Sequence, residues 1–323
     1  MKILFVASAG LEEGTGHVIR VLKMSRLLSQ KSHSVSITGP IKVDWVNDFA
    51  KSLDIDLNPI EKSSFDLIVI DSYRIDFISA QLNRFRANLT VQICDLNTPI
   101  LDVDGFLWLD CQLPNSAVHR SRGELIAAGI EFMTGSDFNQ IPKYESSAKN
   151  VLITLGGAPT SRDKLRIVEL LSGVEFDAID FHFLSQNENF VTKRNFSWYQ
   201  LTGQMESLVK LCDTVITNAG TSLWELLPSS RVVGTICLVE NQRSNYDYVV
   251  SRKLSAGLGD STLDLDLNVE SFRSLFFDNI FRKELFDNAL NNLKHDGRSS
   301  LVEVLEEFAL RKMKDSSDKN PTE

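Results

Sequence analysis

Two tandem, doubly wound α/β domains are what this sequence predicts, and three observations predict them. Continuous apolar runs recur along the chain, as in KILFVA at 2–7, FDLIVID at 65–71 and VVGTICLV at 232–239; strands of that pattern are covered on both faces. Helical patterns alternate with them, the rhythm of parallel βαβ units. The rhythm pauses at a polar stretch, 137–149, and then restarts, so a length of 323 residues divides into two domains.

In the first half, strands are expected at Lys2–Ala7, Ser34–Thr38, Phe65–Asp71, Leu89–Ile93 and Gly105–Leu109. A loop with glycines at 10, 14 and 16 leads into a helix over His17–Ser29, whose apolar face includes Val18, Val21, Leu22 and Leu28. In the second half, strands are expected at Asn150–Leu155, Ile179–Leu184, Asp213–Thr217 and Val232–Val239, with helices at Lys164–Leu171 and around Leu208–Leu211. Three helices close the chain, at Val269–Asp278, Lys283–Lys294 and Ser300–Lys312, the last opened by a capping box, Ser300 with Glu303. The expected division is 1–146, 147–312 and a disordered, almost apolar-free tail at 313–323.

A net charge of −9, with no Lys/Arg block longer than two, argues against a nucleic-acid partner. The cysteines at 94, 111, 212 and 237 are widely spaced, without C-x-x-C, and read as buried thiols of a reducing compartment. The sequence opens directly on a strand and holds no apolar run of membrane-spanning length. A cytoplasmic protein without an integral membrane segment is expected.

Ligands of doubly wound sheets bind at the carboxyl ends of the strands. Those ends carry Gly14–His17, Asp71–Tyr73, Asp95, Gly156–Ala158, Asn218–Ser222 and Glu240–Gln242, a set suited to a polar small molecule. In TVITNAGTSLWELL, 214–227, a strand turns through Gly220 into a helix that Thr221 or Ser222 would cap. Gly220 is expected to take a positive φ or allow a close approach. The free amides and positive dipole end of such a start suit a phosphate, and Glu225, a turn later, suits a sugar hydroxyl. Two rival nucleotide folds are excluded. Ile19 occupies the third glycine of G-x-G-x-x-G, Thr38-Gly39 offers no ribose-binding acid, and neither glycine loop continues into Gly-Lys-Ser/Thr. His17 begins a helix, where the dipole disfavours its protonated form and suits it to act as a base. No clustered carboxylates suggest a metal, and no cofactor is expected.

The segment Gly14-Thr-Gly-His-Val-Ile-Arg20 resembles the G-x-G-H-x-x-R start of the nucleotide-sugar hydrolase of pseudaminic acid synthesis. The likeness continues through Asp71-Ser-Tyr73, Cys94-Asp95-Leu96, 129–133, 151–157, 218–226, Asn241-Gln242 and Asp296-Gly297. That family removes UDP from a UDP-linked diacetamido-trideoxy sugar and shares the GT-B architecture, two Rossmann-like domains facing a cleft, with the N-acetylglucosaminyl transferase of peptidoglycan synthesis. The resemblance implies His17 as the base that activates water, with Asp71 and Tyr73 beside it on the sugar side. It implies Gly156, Gly157, Ala158, Gly220, Thr221 and Ser222 around the diphosphate, and Glu225 on the ribose. It places Gly16, Asn241 and Gln242 toward the sugar and uracil against backbone near Ile236 and Leu238. The chain departs from the family's pattern at Val6, Ser8, Cys94 and Ala158-Pro159. Transfer of the sugar to an acceptor hydroxyl is therefore the alternative to hydrolysis.

Overall fold

The computed structural model describes residues 1–9, 15–41, 44–55, 57, 64–96, 98–112, 114, 121–135, 144–156, 161–185, 195–200, 205–260, 266–293 and 296–318. The chain divides into two compact units, Met1–Met133 with Asp296–Glu323, and Thr134–His295.

The first unit is a six-stranded parallel sheet in the order β2-β1-β3-β4-β5-β6. Its strands are β1 (Lys2–Ala7), β2 (Ser34–Thr38), β3 (Ser64–Asp71), β4 (Arg86–Cys94), β5 (Gly105–Trp108) and β6 (Glu124–Ala128). The helices α1 (Gly16–Gln30), α2 (Asp44–Ser52) and α3 (Ile75–Arg84) connect the early strands. The apolar run of β1 serves two cores because alternate side chains leave opposite faces. Ile3 and Phe5 pack with Val18, Val21 and Leu22 of α1, while Leu4 and Val6 pack with Ile68, Ile70 and Ile78.

The second unit has the strand order β13-β12-β11-β10-β7-β8-β9, parallel except for the β12–β13 pair. It comprises β7 (Asn150–Thr154), β8 (Asp180–Leu184), β9 (Phe196–Tyr199), β10 (Thr214–Asn218), β11 (Val232–Cys237), β12 (Ala256–Asp260) and β13 (Asp266–Leu267). Its helices are α4 (Ser161–Leu171), α5 (Met205–Leu211), α6 (Thr221–Leu226), α7 (Arg243–Ser251), α8 (Val269–Phe277) and α9 (Asn279–Asn292). Side-chain caps open α8, where Asn268 accepts from Ser271 N, and α9, where Asp278 accepts from Ile280 N and Phe281 N.

The last helix, α10 (Gly297–Asp318), belongs to the first unit and not to the second as expected. Leu301, Val302, Leu305, Phe308 and Ala309 complete the core against α1, and Glu306 bonds Lys31 and His33, each at 2.7 Å. The helix starts at Gly297, so Ser300 lies inside it, donating its amide to Asp296 O at 3.1 Å, and does not act as the cap of a capping box. The expected disordered tail begins within this helix: 313–318 are helical, and 319–323 lie outside the described residues. Of the polar stretch 137–149, residues 144–149 are tied to the second unit, through Tyr144 Oη to Asn279 O at 2.9 Å and Lys149 N to Asp213 at 3.0 Å.

Leu305 is fully buried, so Leu305→Ala should lower stability by about 2–5 kcal/mol in chemical denaturation. Lys283→Ala, which removes an exposed ion pair with Asp287, should change it by less than about 1 kcal/mol. An unchanged Leu305→Ala midpoint would separate α10 from the first unit's core.

Candidate functional site

Each sheet has one point where the chain reverses its direction of strand addition. In the first unit β2 lies on one side of β1 and β3 on the other, so the switch falls at the carboxyl ends of β1 and β3, where ligands of such sheets bind. Asp71 ends β3 in register with Ala7. The helix starting at Gly16 brings His17 to the same place, its Nδ1 2.6 Å from Asp71 Oδ1. Arg20, one turn on along the same face of α1, grips Asp71 with both arms of its fork, Nε to Oδ2 at 2.8 Å and Nη2 to Oδ1 at 2.6 Å.

Asp71 is 1% exposed and His17 8%. Burial pushes the Asp71 carboxyl upward, but Arg20 and then His17 outweigh it and hold the group well below the usual carboxylate range. Burial acts against the Arg20 charge in turn, and Asp71 more than restores it, leaving the guanidinium above its ordinary value. A carboxylate can only accept, so the hydrogen of the neutral ring sits on Nδ1 and donates to Asp71, and in that tautomer Nε2 carries the lone pair. Tyr73 packs edge-on to the imidazole, ring centroids 4.5 Å apart at 87°. Its hydroxyl donates to Asp95; burial and then that carboxylate push the phenol well above its ordinary value, so it remains a donor. Thr98 holds Asp95 by giving its hydroxyl to Oδ1 and taking the Asp95 amide, both at 2.9 Å. The Cys94 thiol, raised by burial and then by Asp95, stays protonated. The arrangement can therefore take a proton at Nε2, with the resulting imidazolium balanced by Asp71.

In the second unit β8 and β9 add on one side of β7 and β10 on the other, so its switch point joins the ends of β7 and β10. Gly156 follows β7 with φ +67°, a left-handed conformation that glycine supplies without strain. Gly157 and Ala158 lie outside the described residues. Asn218, 6% exposed, ends β10. A β-carbon at Gly156 would lie 3.5 Å from Asn218 Nδ2. At Gly220 it would lie 3.4 Å from Asn218 Nδ2 and 3.6 Å from Gln242 Nε2, so both amides flank this turn.

Gly220 is extended, φ −93° and ψ −162°, so it does not take the positive φ that was one of its two expected uses; it is itself the N-cap, with no capping side chain, so Thr221 and Ser222 are the first helical residues and not caps. Helix α6 is six residues long, so its amides matter more than any accumulated dipole. Ile236 lies inside β11 with its carbonyl accepting from Ala219 N at 3.1 Å, and Leu238 N donates to Gln242 Oε1 at 3.1 Å. Glu225 and Gln242 are buried and Asn241 is exposed.

Sequence reading singled out His17, Asp71 and Tyr73, which do come together, but gave no role to Arg20 beyond its place in the motif. Its spacing from His17, i and i+3 on one helix, was the available signal. Asp95 was expected only as one of the strand-end residues, and no signal pointed to Thr98 as its holder. Among the described residues no group of three or more His, Cys, Asp or Glu could hold a metal, and no helix is long and apolar enough to cross a membrane.

Because its folded-state pKa is depressed, Asp71 contributes stability that is present above the ordinary carboxylate value of 3.8 and lost as pH falls below it. Denaturation series between pH 7 and 2 should show stability falling below about pH 4, with a shallower fall in Asp71→Asn. Equal slopes would mean that Asp71 does not carry this charge.

No family model matches the chain, and no curated protein matches it. Solved structures do. A spinosyn forosaminyltransferase superposes with a TM-score of 0.62 at 11% identity, covering 96% of this chain and 99% of its own. Arabidopsis thaliana UGT89C1 complexed with UDP gives 0.63 at 11% identity, over 96% and 99%. Acinetobacter baumannii MurG gives 0.54 at 12% identity, over 95% and 100%. At these identities the likeness is one of fold, and the fold is shared across the whole chain: two parallel-sheet α/β domains, as in the GT-B glycosyltransferases.

Proposed function

We propose that this chain is an enzyme of nucleotide-activated sugars that transfers the sugar of a UDP-linked donor to an acceptor hydroxyl. The observation that carries the reading is the His17 imidazole, directed by Asp71 at 2.6 Å so that Nε2 is left as the proton acceptor. The UDP-bound and UDP-L-rhamnose-bound structures of the Arabidopsis thaliana neighbour support the donor class.

In this reading Nε2 takes the proton of the attacking hydroxyl as its oxygen bonds to the anomeric carbon. The bond from that carbon to the diphosphate breaks, and the diphosphate leaves with the electron pair. Gly156, Gly157 and Ala158, with the Gly220, Thr221 and Ser222 amides, stabilise the departing charge, aided by the Gln242 amide. Glu225 takes the ribose, Asn241 and Gly16 lie toward the sugar, and Tyr73 walls the imidazole. Asp71 balances the imidazolium formed.

Hydrolysis is the second reading, favoured by the likeness of Gly14–Arg20 and the later motifs to the pseudaminic acid pathway hydrolase. The product would then be UDP and a free acetamido-deoxy sugar for a bacterial surface or flagellar glycan, made in the cytoplasm. The two readings share the base and the leaving group and differ only in which hydroxyl enters.

The test is nucleotide release from a panel of UDP-, GDP- and CMP-sugars, with and without acceptors. Transfer predicts release that depends on acceptor and a coupled product; hydrolysis predicts release in buffer alone. In either case His17→Ala should cut kcat by roughly 10²–10⁴-fold, with the fold intact by circular dichroism. Full activity in His17→Ala would remove it as the base, and binding without turnover of any donor would leave a binding protein.

A further inference from the structure

We infer that Arg20 is a positioning residue that keeps the His17–Asp71 pair one proton short, so that the imidazole Nε2 stays bare at neutral pH. The inference rests on the reading of His17 as the base. Asp71 Oδ1 receives two donors at 2.6 Å, His17 Nδ1 and Arg20 Nη2, and Oδ2 receives Arg20 Nε at 2.8 Å. The carboxylate is thus neutralised by a cation that cannot lose its proton, and the ring needs to carry none of that charge. Arg20 Nη2 also lies 3.3 Å from His17 Nδ1, a position from which it opposes a second positive charge on the ring.

Without the guanidinium, a carboxylate that is 1% exposed faces the imidazole alone. Desolvation then disfavours an uncompensated anion, and the pair takes one proton from solvent. That proton can be distributed in two ways: carboxylate with imidazolium, or carboxylic acid donating to Nδ1 of a neutral ring. Both place a hydrogen on Nε2, and both remove the lone pair the reaction requires. The other titratable groups facing the pair among the described residues do not replace Arg20. Tyr73 and Cys94 are held protonated by burial, and Asp95, which receives the Tyr73 hydroxyl, supplies no positive charge.

The experiment is ¹⁵N NMR of histidine-labelled protein without substrate, beside pH–rate profiles with the donor found above. At neutral pH Nε2 should resonate as a bare imine nitrogen in the native protein and in Arg20→Lys, which keeps the charge. It should be protonated in Arg20→Met and bare again in Arg20→Met/Asp71→Asn, which removes both charges. Turnover of Arg20→Met should fall about tenfold or more at neutral pH and recover as pH rises, since each unit of displacement is tenfold, with KM little changed. A folded Arg20→Met with a bare Nε2, or native protein with a protonated one, overturns the inference. Should Arg20→Met not fold, a protonated Nε2 in Arg20→Lys overturns it. Absence of turnover on every nucleotide sugar would instead remove the proposed reaction and leave the NMR result to be judged alone.

Discussion

A carboxylate held ionised where water cannot reach it is the constraint on which the first unit's chemistry depends. Asp71 ends a buried strand, and an isolated charge there would be costly by several kcal/mol. The cost is offset only because α1 begins beside the end of β3 and presents two donors one turn apart, His17 and Arg20. The helix start, the strand register that places Asp71 beside Ala7 and the core that seats α1 are therefore parts of one device. Moving α1 by one residue would trade His17 for Gly16 or Val18 and leave the carboxylate without its partners.

The second unit solves a different problem with different means. Its switch point carries glycines and carboxamides. Gly156 turns in the left-handed region, and the amides of Asn218 and Gln242 lie against Gly220. The two halves share an architecture, yet one carries the His17–Asp71–Arg20 cluster and the other glycines and carboxamides. That division follows from what each places at its reversal of strand order.

The fold was legible because buried parallel strands write continuous apolar runs, and the runs at 2–7 and 65–71 and the first six residues of the run at 232–239 are such strands. Short, half-exposed strands such as β6 and β9 escaped because their pattern does not stand out from loops. His17 and Asp71 were legible from their positions at a glycine-bounded helix start and a strand end. Arg20 was not, since its importance comes from a through-space fork to a residue 51 positions away. Gly220, expected at a positive φ or a close approach, serves here as an extended cap beside the Asn218 and Gln242 amides. The helix at 297–318 misled because sequence order suggested that it continued the second domain. Its apolar stripe, matched to α1, and the Glu306 bonds to Lys31 and His33 assign it to the first.

That last helix makes the second unit an insertion within the first. During synthesis the polypeptide emerges in order, and residues 134–295 have all left the ribosome before Leu301 and Leu305 become available to close the core around α1. The later-made unit can thus mature while the earlier one waits with an apolar face uncovered. Loss of the chain from Leu301 onward would strip the first unit of its closing side chains and leave the core of the second in place.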